Sequence, residues 1–130
     1  FFAVTKFDPH ADLILVEAVL TGPRGPFAAK LILDIGANVS AIDPVILEQI
    51  GLDPSKHAVE VFEVFTASGR ETRVVVQVSS VEAIKTKKQD LLMVCHRVPP
   101  HSGAYGVLGL DFIRDRRLTI DMTKGTLRLK

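Results

Sequence analysis

Asp34 ends the apolar run Leu31-Ile32-Leu33 and opens directly into Ile35-Gly36-Ala37, so one carboxylate stands at the corner where a strand gives way to a tight turn. A second corner comes late, where Val107-Leu108-Gly109 sets two apolar residues and a glycine ahead of Leu110-Asp111-Phe112-Ile113, the start of a short helix. Carboxylates hydrolyse an amide unaided only in pairs: an ionised group deprotonates water while a neutral one protonates the carbonyl oxygen. Two like carboxylates held close together cannot both ionise cheaply, which leaves such a pair sharing a proton. The Asp-x-Gly turn occurs once in 130 residues, so its acid gains a partner only when two copies of the chain meet about a two-fold axis through the site. Taken alone, Asp before Gly more often forms an Asx-type turn, its carboxylate binding backbone N–H groups.

Other groups offer less. Cys95 stands alone, which rules out an intrachain disulfide and a thiolate zinc cluster. His96 beside it points to the opposite face of a strand, so Cys95 reads as core. His96 and His101 are separated by Pro99-Pro100 and read as ordinary surface histidines rather than a zinc pair. Asp111 could approach the Asp34 turn, but reads first as a cap for its own helix or a partner for Arg114. Asn38-Val39-Ser40 has the form of a glycosylation acceptor yet abuts the Asp34 turn, and is discounted. Phe62, Phe65, Val107 and Phe112 read as core or pocket lining.

The elements that must carry these residues are mostly strands: short aliphatic runs divided by Gly, Pro, Asp and Lys clusters. Strands are expected over residues 1–7, 13–20 and 27–33, with a turn at Thr21–Pro26. Asp43-Pro44 ahead of Val45–Ile50 and Gly51 specifies a helix: an N-cap acid, Pro at the first position and a terminating glycine. Residues 59–65 and 72–78 form a hairpin tipped by Thr66-Ala67-Ser68-Gly69. Lys85-Thr86-Lys87-Lys88 is read as a turn leading into a strand over 91–98, and residues 99–104 as an irregular loop. A helix at 110–114 and paired strands at 117–122 and 126–129 complete the chain.

Composition narrows the class. Apolar residues at 47% with 24% charged fit a globular chain, and 130 residues fit one domain, residues 1–130. Sixteen Lys and Arg against fifteen Asp and Glu give a net charge of +1, so no global field selects nucleic acid or an anionic membrane as partner. Lys85–Lys88 and Arg114–Arg117 read as solvated faces. No apolar run approaches the roughly 20 residues that span a bilayer, and Phe1-Phe2-Ala3-Val4 lacks the length and basic flank of a signal peptide. No compartment is read from these residues.

From about Ile14 to Leu129 the chain resembles the retropepsin-like aspartic proteases, closest to the small bacterial and retroelement forms. Asp34-Ile35-Gly36-Ala37 stands where those carry Asp-Thr-Gly-Ala, Thr66-Ala67-Ser68-Gly69 where they carry a flap segment, and Val107-Leu108-Gly109-Leu110-Asp111-Phe112-Ile113 where they carry Leu-Leu-Gly before a helix. The resemblance implies an all-β closed barrel of the acid-protease fold with one or two short helices, assembled as a homodimer. It implies an endopeptidase acting on extended peptides with no metal and no cofactor. It implies Asp34 as catalytic acid, Gly36 and Ala37 with Ala67, Ser68 and Gly69 as substrate contacts, and Ile35, Val107, Leu108 and Gly109 as support.

Two departures stand out. Relatives carry Thr or Ser at the position of Ile35, with a hydroxyl that bonds across the dimer; each such net bond is worth about 1 kcal/mol. Viral relatives pair an Arg after the late glycine with an acid near the catalytic turn, whereas this chain has Leu110 and Asn38 there. The alternative is a catalytically impaired domain of the same fold serving dimerisation or peptide binding; a third reading is a monomeric barrel whose Asp34 turn is structural.

Overall fold

A computed structural model describes residues 4–130. Its strands run β1 (Thr5–Lys6), β2 (Leu15–Gly22), β3 (Gly25–Leu33), β4 (Ala41–Ile42), β5 (Ala58–Thr66), β6 (Gly69–Ala83), β7 (Thr86–Cys95), β8 (Gly106–Leu108), β9 (Leu118–Asp121) and β10 (Thr126–Leu129). Helices α1 (Pro44–Ile50), α2 (Pro54–His57) and α3 (Leu110–Ile113) are short, as is a 3-10 turn at Pro100–Ser102.

The main sheet runs β2-β3-β8-β4-β7-β6-β5, and β6 returns to pair with β2 through Val19↔Glu82, Leu20↔Val81 and Thr21↔Ser80. Six strands therefore close into a barrel, and β5 remains outside it on a hairpin with β6. Closure depends on the length of β6: its first half pairs with β5 as far as Ala58↔Val76, and its second half pairs with β2. Asp90 on β7 is left-handed (φ 53°) beside this exchange, between the pairs Val78↔Leu91 and Ser80↔Gln89.

Alternation on β2 sends Val16, Ala18 and Leu20 inward, where they meet Leu31 and Leu33 of β3, Val76 and Val78 of β6, Met93 of β7 and Leu108 of β8. A separate sheet, β1-β10-β9, is carried onto the same core by Leu127 and Leu129.

Helix α1 forms as its punctuation dictates. The Asp43 side chain accepts from Val45 N at 3.0 Å and Pro44 takes the first position, where no donor is needed. Gly51 is left-handed (φ 88°), with Gly51 N donating to Glu48 O and Leu52 N to Leu47 O, a Schellman ending. Ile46, Leu47 and Ile50 are its buried face. Helix α2, not anticipated from sequence, repeats the device: the Asp53 carboxylate accepts from Ser55 N and Oγ ahead of Pro54.

Several boundaries differ from expectation. The first strand covers only Thr5–Lys6, and residues 1–3 lie outside the described part. The lysine-rich turn moves: the chain reverses at Ile84-Lys85, both at positive φ (51° and 55°), and Thr86, Lys87 and Lys88 already belong to β7, which ends at Cys95. This is the backbone of a tight primed hairpin turn, built without the usual Asn-Gly and held by a buried Ile84. Removing the α1 cap with Asp43→Ala should lower stability by about 1 kcal/mol, read as an earlier midpoint in urea unfolding with an unchanged slope.

Candidate active site

Asp34 is the first residue beyond β3, and the pairing of β3 decides where it stands. Strand β8 runs parallel to β3 through Ile32↔Val107 and Leu33↔Leu108, and β4 lies antiparallel on its other side through Ala41↔Val107 and Ile42↔Gly106. The strand entering the 34–40 loop and the strand leaving it thus flank β8, and the loop passes over the end of β8. Close approach demands the two glycines of that segment. A Cβ on Gly106 would lie 2.4 Å from Ala41 O, and one on Gly109 would lie 2.8 Å from Ala37 O and 3.0 Å from Val39 C and O. Leu108 between them is fully buried, which accounts for the apolar-apolar-glycine order.

Within the loop, Asp34 N donates to Leu108 O (3.0 Å) and Ala37 N to Asp34 O (3.1 Å). Gly36 N donates to Asp34 Oδ1 at 2.9 Å, so the turn is of the Asx type, and that bond orients a carboxylate that remains solvent-exposed. The Asx-turn expectation for Asp34 is met, and the same turn leaves the carboxylate open to solvent. On the same loop Ile35 is 57% exposed and Val39 53% exposed. Of the expected site residues, Asp34 and Ala37 are brought against Leu108 and Gly109, Ile35 and Gly36 project from the turn, and Val107 pairs with Ile32 and Ala41.

The Ala67-Ser68-Gly69 tip belongs to a separate arm. Thr66 pairs with Gly69 across the two-residue loop Ala67-Ser68, and Gly69 has φ 117°. Thr66 Oγ1 accepts from Ser68 N and donates to Gly69 O, both at 3.2 Å. Strand β5 has no buried residue; Phe65 is 78% exposed and has the Arg70 guanidinium 5.4 Å from its ring centroid. Among the described residues no hydrogen bond or ion pair joins this tip to the Asp34 turn.

Two residues at the site were missed or misassigned. Ser40, fully buried, donates from Oγ to Asp111 Oδ1 at 2.6 Å and from N to Asp111 Oδ2 at 2.9 Å, and its Oγ accepts from Gly109 N at 3.0 Å. Asp111 consequently neither caps α3, whose N-cap is Gly109, nor pairs with Arg114. With Asn38 and Leu110 in place of an ion pair, the two turns are joined by Leu110 N donating to Ala37 O at 2.8 Å.

The remaining candidates lie elsewhere. Cys95 packs half-buried against the core, where burial and then the Asp43 charge push its thiol above the ordinary range, away from a reactive thiolate. His96 and His101 are exposed, and among the described residues no three His, Cys, Asp or Glu side chains are grouped to hold a metal. A cavity of about 700 Å³ lies between α1 and the Arg97–Tyr105 segment, beyond the end of β8 remote from Asp34. No helix among the described residues is long and apolar enough to cross a membrane.

A closed, mostly β barrel with one Asp-x-Gly turn seated on an apolar-apolar-Gly turn defines the retropepsin-like class of aspartic protease fold. Residues 18–112 match the family model described as aspartyl protease, and the chain belongs to that family. Among solved structures it is similar to the crystal structure of a retropepsin-like aspartic protease from Rickettsia conorii, with a TM-score of 0.67 and 15% identity over 99% of this chain and 90% of that one. At that identity the likeness speaks to the fold. No curated protein sequence matches the chain.

Gly109→Ala should push the Asp34 loop off β8 and destabilise the chain by about 1–3 kcal/mol, the usual cost of overpacking, measured by denaturant unfolding.

Proposed function

We propose that residues 1–130 form one retropepsin-like domain acting as an aspartic endopeptidase, in a homodimer whose two Asp34 carboxylates face each other across the two-fold axis. The observation that carries this reading is the exposed Asp34 carboxylate, oriented by Gly36 N at the mouth of a loop pinned to β8, in a chain of the aspartyl protease family. One protomer supplies one such acid, and amide hydrolysis by carboxylates needs two. In the dimer one carboxylate takes a proton from water while the other donates to the scissile carbonyl oxygen; neither step calls for a metal or an organic cofactor.

The substrate is an extended peptide, bound as an added strand between the Gly36-Ala37 segment and the tip at Ala67, Ser68 and Gly69, which acts as a flap that closes over the cut and excludes water. The β5–β6 hairpin, whose outer part from Phe62 to Arg73 pairs only with itself and which has no buried residue on β5, supports this role. Exposed Ile35 next to the acid and Val39 on the same loop favour apolar side chains flanking the cleaved bond.

Ile35 also supports a second reading, a catalytically impaired domain kept for dimerisation or peptide binding. Its side chain offers no hydroxyl to bond across the dimer, and positional errors of about 1 Å weaken catalysis strongly. Asp34→Asn in the purified chain should abolish peptide cleavage while leaving the fold and sedimentation unchanged; cleavage at the parental rate would remove Asp34 from the mechanism. Ile35→Thr should raise kcat if the site is an impaired protease, and inactivity of both forms would favour the binding domain. Activity should fall at alkaline pH as the shared proton is lost, in a pH–rate profile of kcat.

A further inference from the structure

We propose that Ser40 and Asp111 are a positioning pair that holds the Asp34 turn from inside each protomer, an inference that rests on the reading of Asp34 as the catalytic acid. The directions of its hydrogen bonds are fixed by chemistry. Gly109 N–H can only donate and the Asp111 carboxylate only accepts, so the Ser40 hydroxyl proton points at Asp111 Oδ1 (2.6 Å) and a lone pair faces Gly109 (3.0 Å). Asp111 Oδ2 takes Ser40 N at 2.9 Å, which makes the grip two-pronged and charge-assisted. Lys88 of β7 donates from Nζ to Asp111 O at 2.6 Å and ties the first turn of α3 to the barrel wall.

Placed on the loop, these bonds form a pattern. Asp34 is fastened to Leu108, Ala37 to Leu110 and Ser40 to Gly109 and Asp111, so the segment is pinned at every third residue. Between the pins Ile35, Gly36, Asn38 and Val39 are exposed and anchor nothing in the core. Ser40 is the one fully buried side chain of the segment 34–40. The Ile35 side chain has no donor or acceptor to bond across an interface, so more of the fixing of the acid falls to bonds made within the protomer.

The experiment uses the intact chain with Ser40→Ala, Asp111→Ala and Asp111→Asn, read by amide hydrogen exchange and by kcat and KM on a peptide substrate. Ser40→Ala and Asp111→Ala should speed exchange at Asp34, Ala37 and Leu110 by about 10-fold or more, with the β2–β3 amides unchanged. They should lower kcat by about 10- to 100-fold with KM within about twofold, because the loop misplaces the acid rather than the peptide. Asp111→Asn keeps an oxygen for Ser40 N and should recover part of both losses. Exchange at those three amides within about twofold of the parent would overturn the proposal, whether or not a cleavable substrate is in hand. Should Ser40→Ala fail to fold, the partly exposed Asp111 carries the same test. If Asp34→Asn is inactive while Ser40→Ala keeps the parental kcat, the positioning pair falls and the assignment of Asp34 stands; if Asp34→Asn cuts normally, that assignment falls and the exchange result is judged separately.

Discussion

The insertion of β8 between β3 and β4 is the constraint on which the rest of the molecule depends. It sets the entering and leaving strands of the Asp34 loop on opposite sides of one three-residue strand, so the loop has no freedom to swing away from its end. It also explains why Gly106 and Gly109 bracket Val107-Leu108: carbonyl oxygens at Ala41 and Ala37 occupy the places where Cβ atoms would stand. Leu108 joins that strand to the barrel core, so the position of an exposed acid is referred to the best-packed part of the fold.

Stiffness is distributed unevenly as a result. The Asp34 loop rests on the buried core through backbone bonds and one buried serine, whereas the β5–β6 arm has no buried residue on β5 and is held by its ladder, the Thr66 cap and exposed contacts at Arg70. Exposed ion pairs of that kind contribute little. Elements with few buried contacts open at low cost. Under the proposed function, a firmly held acid and an arm that opens at low cost give the division of labour that a cleft closing over a strand-like ligand requires.

What could be read from the sequence follows the range of the interaction. Asp43-Pro44 and Gly51 fix α1 because caps act over one turn, and the Asp34-Ile35-Gly36 corner was legible because an Asx turn is local. The β5–β6 tip was legible from Gly69 for the same reason. The turn at Ile84-Lys85 was not: neither residue favours positive φ, and burial of Ile84 imposes it, so tertiary packing overrode local preference. The change of partner along β6 leaves no local mark either: Val74, Val75 and Val76 pair with β5 and Ser80, Val81 and Glu82 with β2, and no glycine or proline separates them. Sequence allows Asp111 to approach the Asp34 turn but does not single out Ser40 as its partner, because 71 residues separate them and only the fold brings them together.

The same geometry bears on how a single-acid protomer can serve a two-acid reaction. Where a hydroxyl follows the aspartate, part of the rigidity of the site is created only when two chains meet. Here the residue is Ile35, and the fastening bonds at Asp34, Ala37 and Ser40 are complete within one chain. Assembly would then have less ordering left to do: the conformational entropy of the loop is already spent in folding, and Ile35 and Val39 offer apolar surface where a relative offers a hydrogen bond. Apolar contact is less directional than a hydrogen bond. In the proposed dimer the setting of each carboxylate is therefore fixed by its own protomer, and the interface needs only to bring two preformed turns together.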